Sequence, residues 1–149
     1  MKDRVKIRLL KKRDISSLLT FYTKQRDYPK KPRDYDYDGT ELELYRKSDH
    51  CHILVAILGN KVVGYSIFYD LLTWGYIDEL CVHKDYRNRH IGTTMFNWIE
   101  DKYREKWTCV EMAALVEDKE MIFYMSKLGF GCEKGLVWKS KGLKGARYE

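Results

Sequence analysis

Apolar positions along this chain change period several times, and each change marks a new element. Val5-Lys6-Ile7-Arg8-Leu9 alternates apolar and polar residues, the two-residue period of a half-buried strand. From Ile15 the period lengthens: Ile15, Leu18, Leu19 and Tyr22 share one face of a helix, and Asp14 before them is a residue type that caps helices. The runs His52–Leu58 and Lys61–Tyr69 are rich in branched and aromatic residues and flank Gly59-Asn60, which predicts a hairpin. Ile77, Leu80 and Val82 mark a further strand, and an amphipathic helix begins near Ile91. Cys109–Val116 is another apolar strand, and Lys119–Leu128 a helix that stops where Gly129 supplies a C-cap.

This order predicts one mixed α/β domain over residues 1–149. An antiparallel, hairpin-rich half leads into the strand at Ile77–Val82, which runs parallel to Cys109–Val116 because a helix crosses over between them. With 149 residues, 44% hydrophobic and 14% aromatic, the chain is long enough to bury a sizeable core. Its longest apolar run, Ile53–Leu58, is too short to span a bilayer, and no signal-like segment follows Met1-Lys2-Asp3-Arg4, so the expected compartment is the cytoplasm, with no membrane partner. Cys51, Cys81, Cys109 and Cys132 are widely spaced without a CxxC pair, which points to reduced thiols packed as small apolar side chains. His50, Cys51 and His52 lack a second ligand cluster, so a structural role is expected for them and no metal.

The net charge of +6 admits two readings. Lys134, Lys139, Lys141, Lys144 and Arg147, interleaved with Trp138 and Tyr148, could contact nucleic acid, whereas a polyphosphate ligand explains local positive charge at Arg87 and Arg89. The second accounts for more residues. One segment, Arg33-Asp34-Tyr35-Asp36-Tyr37-Asp38-Gly39-Thr40, alternates aspartates with aromatic rings. It reads equally as a wall for a cationic amine or as a surface turn ending in an N-cap at Asp38 or Thr40.

The densest chemistry lies between Tyr76 and Phe96. After the strand, Arg87-Asn88-Arg89-His90-Ile91-Gly92-Thr93 gathers backbone amides and two guanidinium groups where a helix begins, which is how a phosphate site is built. Neither the P-loop pattern nor GxGxxG is present. The segment resembles the Gcn5-related N-acetyltransferase (GNAT) family, whose signature is an apolar strand followed by Gln/Arg-x-x-Gly-x-Gly/Ala. Arg87 and Gly92 match it, His90 replaces the first glycine, and Asn88 stands where another glycine is frequent. The Lys127-Leu128-Gly129-Phe130 ending is also a family feature, and the resemblance runs from Val5 to Trp138.

The resemblance implies a GNAT-like fold and acetyl-coenzyme A as cosubstrate, its pyrophosphate wrapped by Arg87 to Thr93. Backbone amides of Leu80, Cys81 and Val82, at a bulged strand end, would face the thioester, and Asp118 stands where relatives carry an asparagine contacting the pantetheine arm. The acceptor would be an amine, of a small molecule or a protein. Such an amine is mostly protonated at neutral pH and must lose a proton before attack. Asp78 and Glu79 are the acidic candidates within the motif strand; strict alternation sends them to opposite faces, so one of the two should face the cleft unless the strand bulges. Asp78 is the first choice, because amine-acetylating relatives carry a glutamate there.

The family's thiolate-protonating tyrosine aligns with Met125, and Tyr124 lies one residue earlier, about 100° away on a regular helix. Tyr124 is the candidate donor if the helix register shifts; water is the other. Cys81 offers a covalent route, but no histidine is identifiably paired with it. Acetyl transfer to an amine by direct attack is the preferred function. A non-catalytic acyl-coenzyme A binding module and a basic nucleic-acid-binding protein are the alternatives, and an oligomer remains open.

Overall fold

A five-stranded sheet in the order β1-β2-β3-β4-β5 organises the chain, whose computed structural model describes residues 4–24, 37–114 and 118–131. The strands are β1 (Lys6–Leu9), β2 (Cys51–Leu58), β3 (Lys61–Asp70), β4 (Trp74–Val82) and β5 (Cys109–Met112); the helices are α1 (Ile15–Lys24), α2 (Gly39–Lys47), α3 (Ile91–Tyr103) and α4 (Lys119–Lys127). Contacts divide the chain into two compact units. One contains the whole sheet and α1 to α3; the other contains α4 and is described separately. The basic tail from residue 132 onward, including Cys132, and the acidic segment from Arg33 to Asp36 lie outside the described residues.

Neighbouring strands β1 to β4 pair antiparallel, and β4 pairs parallel with β5 from Trp74 opposite Cys109 to Ile77 opposite Met112. The crossover between these two is α3, as the parallel pairing requires. The hairpin turns at Gly59, whose φ of 59° suits a residue without a Cβ. The expected last strand is shorter than its apolar pattern suggested: β5 ends at Met112, and residues 115–117 lie outside the described residues.

Alternation along β3 divides the core into two layers. Tyr65 points to the α1 side, where Phe21 and Tyr22 pack their rings 5.4 and 5.0 Å from its own. Phe68 points to the other side, against Tyr103 of α3 and Trp107. Leu18, Leu42, Val55 and Ile67 are fully buried, as are Leu54, Met95 and Ile99. Each buried aliphatic chain of this kind contributes about 1.5–3 kcal/mol.

Two capping expectations resolve differently. Asp38 caps α2: its carboxylate accepts the Glu41 amide at 2.9 Å and Glu41 reaches back to the Asp38 amide. Asp14 instead ends a 3-10 turn, Lys12–Asp14, that runs into α1. Its carboxylate accepts the Lys11 amide at 2.8 Å and pairs with Arg8 at 2.6 Å, so the aspartate ties the turn to β1.

At the far end of β3, Asp70 accepts the Trp107 indole N–H at 2.9 Å and pairs with Lys106 at 2.5 Å. Trp107 stacks on Tyr103 with ring centroids 4.1 Å apart, and a Cβ at Gly75 would overlap its ring. Glycine at 75 is therefore a packing requirement.

Candidate active site

The site begins with a break in strand pairing. On β3, Ile67 and Phe68 are adjacent, yet their partners on β4 are Glu79 and Ile77; Asp78 is the extra residue of a β-bulge. The bulge changes which side chains share a face. Tyr76, opposite Tyr69, and Cys81, opposite Tyr65, follow the alternation of the α1 side, and the inserted Asp78 brings Glu79 to that side as well. The simple alternation that would have separated the two carboxylates does not hold.

Both acids meet one cluster of tyrosines. The Tyr22 hydroxyl of α1 donates to Glu79 Oε2 at 2.7 Å, and the Tyr65 hydroxyl of β3 donates to the same oxygen at 2.5 Å. Tyr37, just ahead of α2, places its hydroxyl 3.5 Å from Asp78 Oδ2 and its ring against those of Tyr22 and Tyr45. Burial pushes the Tyr22 phenol far above its ordinary range, and adjacent Tyr65 and Glu79 push the same way. Tyr65 is raised well above the ordinary value too, first by burial and then by Glu79. Both phenols therefore stay protonated donors.

Of these tyrosines, Tyr37 belongs to the segment whose pattern suits a wall for a cationic amine, whereas periodicity places Tyr22 on a core face and Tyr65 within a hairpin strand. The available signal was the residue type. A tyrosine at a position buried as completely as Tyr65 needs a partner for its hydroxyl, whereas phenylalanine would not.

Beyond Ile77, β4 runs past its ladder with β5 while remaining paired with β3. The direction of its amides follows from one bond. The His83 amide donates to Val63 at 2.9 Å, so in an antiparallel ladder Cys81 also directs its N–H and C=O at β3. The Cys81 carbonyl indeed lies against Gly64. Leu80 and Val82 direct their amides to the opposite edge. Of the three residues expected to present N–H groups, these two do so, and Cys81 does not. Its side chain is buried beside Tyr65.

The chain then turns through a 3-10 segment, Lys84–Tyr86, into the expected anion loop. Asn88 and His90 adopt φ values of 58° and 59°, the left-handed conformation that glycine adopts most readily. These are the positions where glycine is frequent in the resembling family, and the backbone keeps a glycine-like path through other residues. His90 is the N-cap of α3 without a side-chain cap bond, while Ile91, Gly92 and Thr93 form the first helical turn, where amides have no intrahelical acceptor. Arg87 bends back, its Nε donating to the Val82 carbonyl at 3.0 Å, and so fastens the loop to the strand. Arg89 is exposed, its guanidinium 5.4 Å from the Tyr86 ring centroid, and with Arg4, Ile7 and Leu58 it borders a surface groove.

Cys51 lies on the α1 side, where burial pushes its thiol up to about 12, while His52 packs on Phe68 and Tyr103 on the other side. The two do not converge. Among the described residues no group of three or more His, Cys, Asp or Glu is placed to hold a metal, and no helix is long and apolar enough to cross a membrane.

In the second unit, Asp118 caps α4, its carboxylate accepting the Met121 amide at 3.1 Å. The helix is regular to Lys127 and closes through Gly129 at φ 93°, with Phe130 donating to Met125. No π-bulge shifts the register. Tyr124 and Met125 therefore point about 100° apart, both half-buried.

Among the described residues, β4 is bulged at Asp78 and extends beyond its ladder with β5, and the crossover helix α3 follows it. Residues 15–130 match the acetyltransferase (GNAT) family, and the chain belongs to it; it is an acyltransferase. Among solved structures it is similar to an aminoglycoside acetyltransferase from an uncultured soil metagenomic sample, in complex with trehalose (21% identity, 93% of this chain and 96% of that one, TM-score 0.77). It is also similar to a ribosomal-protein-alanine N-acetyltransferase from Brucella melitensis (23%, 93% and 99%, TM-score 0.73) and to AAC(6')-Iy in complex with a coenzyme A bisubstrate analogue (13%, 94% and 99%, TM-score 0.76). No curated protein sequence matches the chain significantly. The family uses acetyl-coenzyme A, and the residues present suit it. Leu80 and Val82 offer main-chain donors along an edge that no strand among the described residues covers, and the first turn of α3 offers amides to a pyrophosphate.

Proposed function

We propose that this chain transfers the acetyl group of acetyl-coenzyme A to a primary amine by direct attack in a ternary complex. The observation that carries the reading is the bulge at Asp78. It sets two carboxylates on one face of β4 next to the residues whose amides line its edge away from β3. The pyrophosphate rests on the Arg87–Thr93 turn, where Arg89 adds charge and Arg87 holds the loop to Val82. Asp118, which caps α4, is assigned to the pantetheine arm because it stands where relatives carry an asparagine.

Glu79, with Asp78 beside it, receives the proton that the ammonium must lose. The amine nitrogen then bonds to the thioester carbon, and one amide of this edge, that of Leu80 or Val82, stabilises the charge that develops on the thioester oxygen, since the two lie two strand residues apart. As the C–S bond breaks, the thiolate leaves with its electron pair and takes its proton from water, because the regular α4 keeps Tyr124 about 100° from the donor position that Met125 occupies. A second carboxylate raises the cationic character the site accepts, and Tyr37 gives it an aromatic wall. Aminoglycoside and ribosomal-protein-alanine acetyltransferases among the structural neighbours support an amine as acceptor. The cytoplasm, as a compartment supplying acetyl-coenzyme A, fits the same reading.

Two measurements test it. Acetyl-coenzyme A should raise the unfolding temperature, since a ligand that binds only the folded state stabilises it. Glu79→Gln should slow acetylation by about 10²-fold or more while leaving coenzyme affinity nearly unchanged. Wild-type rates in both Glu79→Gln and Asp78→Asn would remove the carboxylates from the mechanism.

A further inference from the structure

The proton-accepting carboxylate is held by groups from two other elements. Glu79 receives hydroxyl bonds from Tyr22 on α1 and Tyr65 on β3, both on Oε2, at 2.7 and 2.5 Å. The two rings also pack against each other, 5.0 Å between centroids, and Phe21 sits edge-on to Tyr65 at 5.4 Å. We infer that Tyr22 and Tyr65 are positioning residues for the acyl transfer: they fix the rotamer of Glu79 and keep its carboxylate charged in the resting enzyme, ready to take the acceptor's proton. The inference rests on the proposed role of Glu79.

The chemistry is that of a pinned anion. A glutamate has three rotatable side-chain bonds, and a carboxylate with freedom to swing would sample few geometries from which it could take a proton. Two donors on one oxygen remove that freedom. Donors to the charged form also favour it over the neutral acid, so the base remains ionised at lower pH than it would without them. The phenols can play this part because burial keeps them protonated. Among the described residues, the ionisable groups facing the cluster are Tyr22 from α1, Tyr37 ahead of α2 and Tyr45 on it, Tyr65 and Tyr69 from β3, Cys51 from β2, and Asp78 and Cys81 from β4 itself.

Tyr22→Phe and Tyr65→Phe each delete one hydroxyl and retain the ring. The readout is the titration of the Glu79 side-chain carboxyl, followed by carbon-13 NMR in the folded protein without acceptor. The midpoint should rise by about one pH unit for each hydroxyl lost, the size of one charge-assisted hydrogen bond, and by more in the double variant. The acid limb of kcat/KM should move upward by the same amount. A role in packing alone moves neither. Should Tyr65→Phe fail to fold, Tyr22→Phe reports the same quantity through the other hydroxyl on Glu79 Oε2. An unmoved Glu79 midpoint in a folded variant overturns the inference while leaving Glu79 as base. Wild-type turnover in Glu79→Gln removes the base, and the inference with it.

Discussion

Replacing His90 by glycine should make the protein more stable, although it deletes an entire side chain at the start of α3. His90 has φ 59° and ψ 16°, and a residue with a Cβ in that left-handed region is roughly 1–2 kcal/mol less favourable than in the right-handed one. Glycine removes this strain. It also costs about 0.4–1 kcal/mol, because the unfolded chain gains freedom that folding must remove. His90 is exposed and makes no side-chain capping bond, so little else is lost, and the net gain is about 0.5–1 kcal/mol. For a domain of this size that is a rise of about 1–4 °C in Tm. Urea unfolding of wild type and variant measures it directly. A glycine at exposed Glu100, in the regular part of α3, supplies the opposite sign, a loss of about 0.5 kcal/mol. His90→Val should lose stability as well, because a branched side chain tolerates this conformation poorly. If His90→Gly destabilises as Glu100→Gly does, the turn is not left-handed at 90, and the glycine-like path of the anion loop is wrong.

Four further outcomes follow from particular contacts. Gly92→Asp, which sets a carboxylate in the first turn of α3 beside the phosphate, should abolish acetyl-coenzyme A binding by calorimetry; unchanged affinity in a folded variant would displace the pyrophosphate from this loop. Gly75→Ala should cost about 1–3 kcal/mol in urea unfolding, since the new methyl overlaps the Trp107 ring that is stacked on Tyr103. The Arg8 bond holds the Asp14 carboxyl below its ordinary range, so its contribution to stability is present above the unfolded pKa of about 3.9 and is lost as pH falls through the lower folded value. Stability of Arg8→Met should accordingly fall less steeply than wild type below pH 4, and an equal slope would detach Asp14 from acid unfolding. Tyr124→Phe should leave kcat near the wild-type value, with water as the proton source for the thiolate; a large fall in kcat at unchanged coenzyme affinity would make Tyr124 the donor despite the regular register of α4.

Most of the fold could be read from periodicity because each element buries one face. The hairpin at Gly59-Asn60, the helix ending at Gly129 and the parallel pairing across α3 all follow from local chemistry that the sequence displays. The bulge at Asp78 could not be read. It is defined by the register of β4 against β3, and nothing in Tyr76 to Val82 marks which residue is the extra one. Strict alternation separates Asp78 and Glu79, and its proviso of a bulge is what holds; the bulge lies at Asp78 and not at the Leu80–Val82 end that the resemblance implied, and the three candidate amides reduce to Leu80 and Val82. The convergence of the tyrosines was hidden for a different cause: only Tyr37 lay in a segment that suited an acceptor wall, and tertiary packing alone brings the hydroxyls of Tyr22, Tyr37 and Tyr65 to the carboxylates. The anion loop was legible in composition, while its geometry was not, since Asn88 and His90 adopt a conformation their residue types favour weakly.

The central claim is that this chain moves an acetyl group from the coenzyme to an amine, and release of free coenzyme A thiol tests it most directly. Purified protein is supplied with acetyl-coenzyme A and, in separate reactions, an aminoglycoside, a polyamine, a lysine peptide and a peptide with an N-terminal alanine, with the acetylated product identified by mass. The account predicts thiol release that depends on at least one amine and is suppressed in Glu79→Gln. Tight binding of acetyl-coenzyme A with no amine-dependent release across primary amines of every class would contradict it.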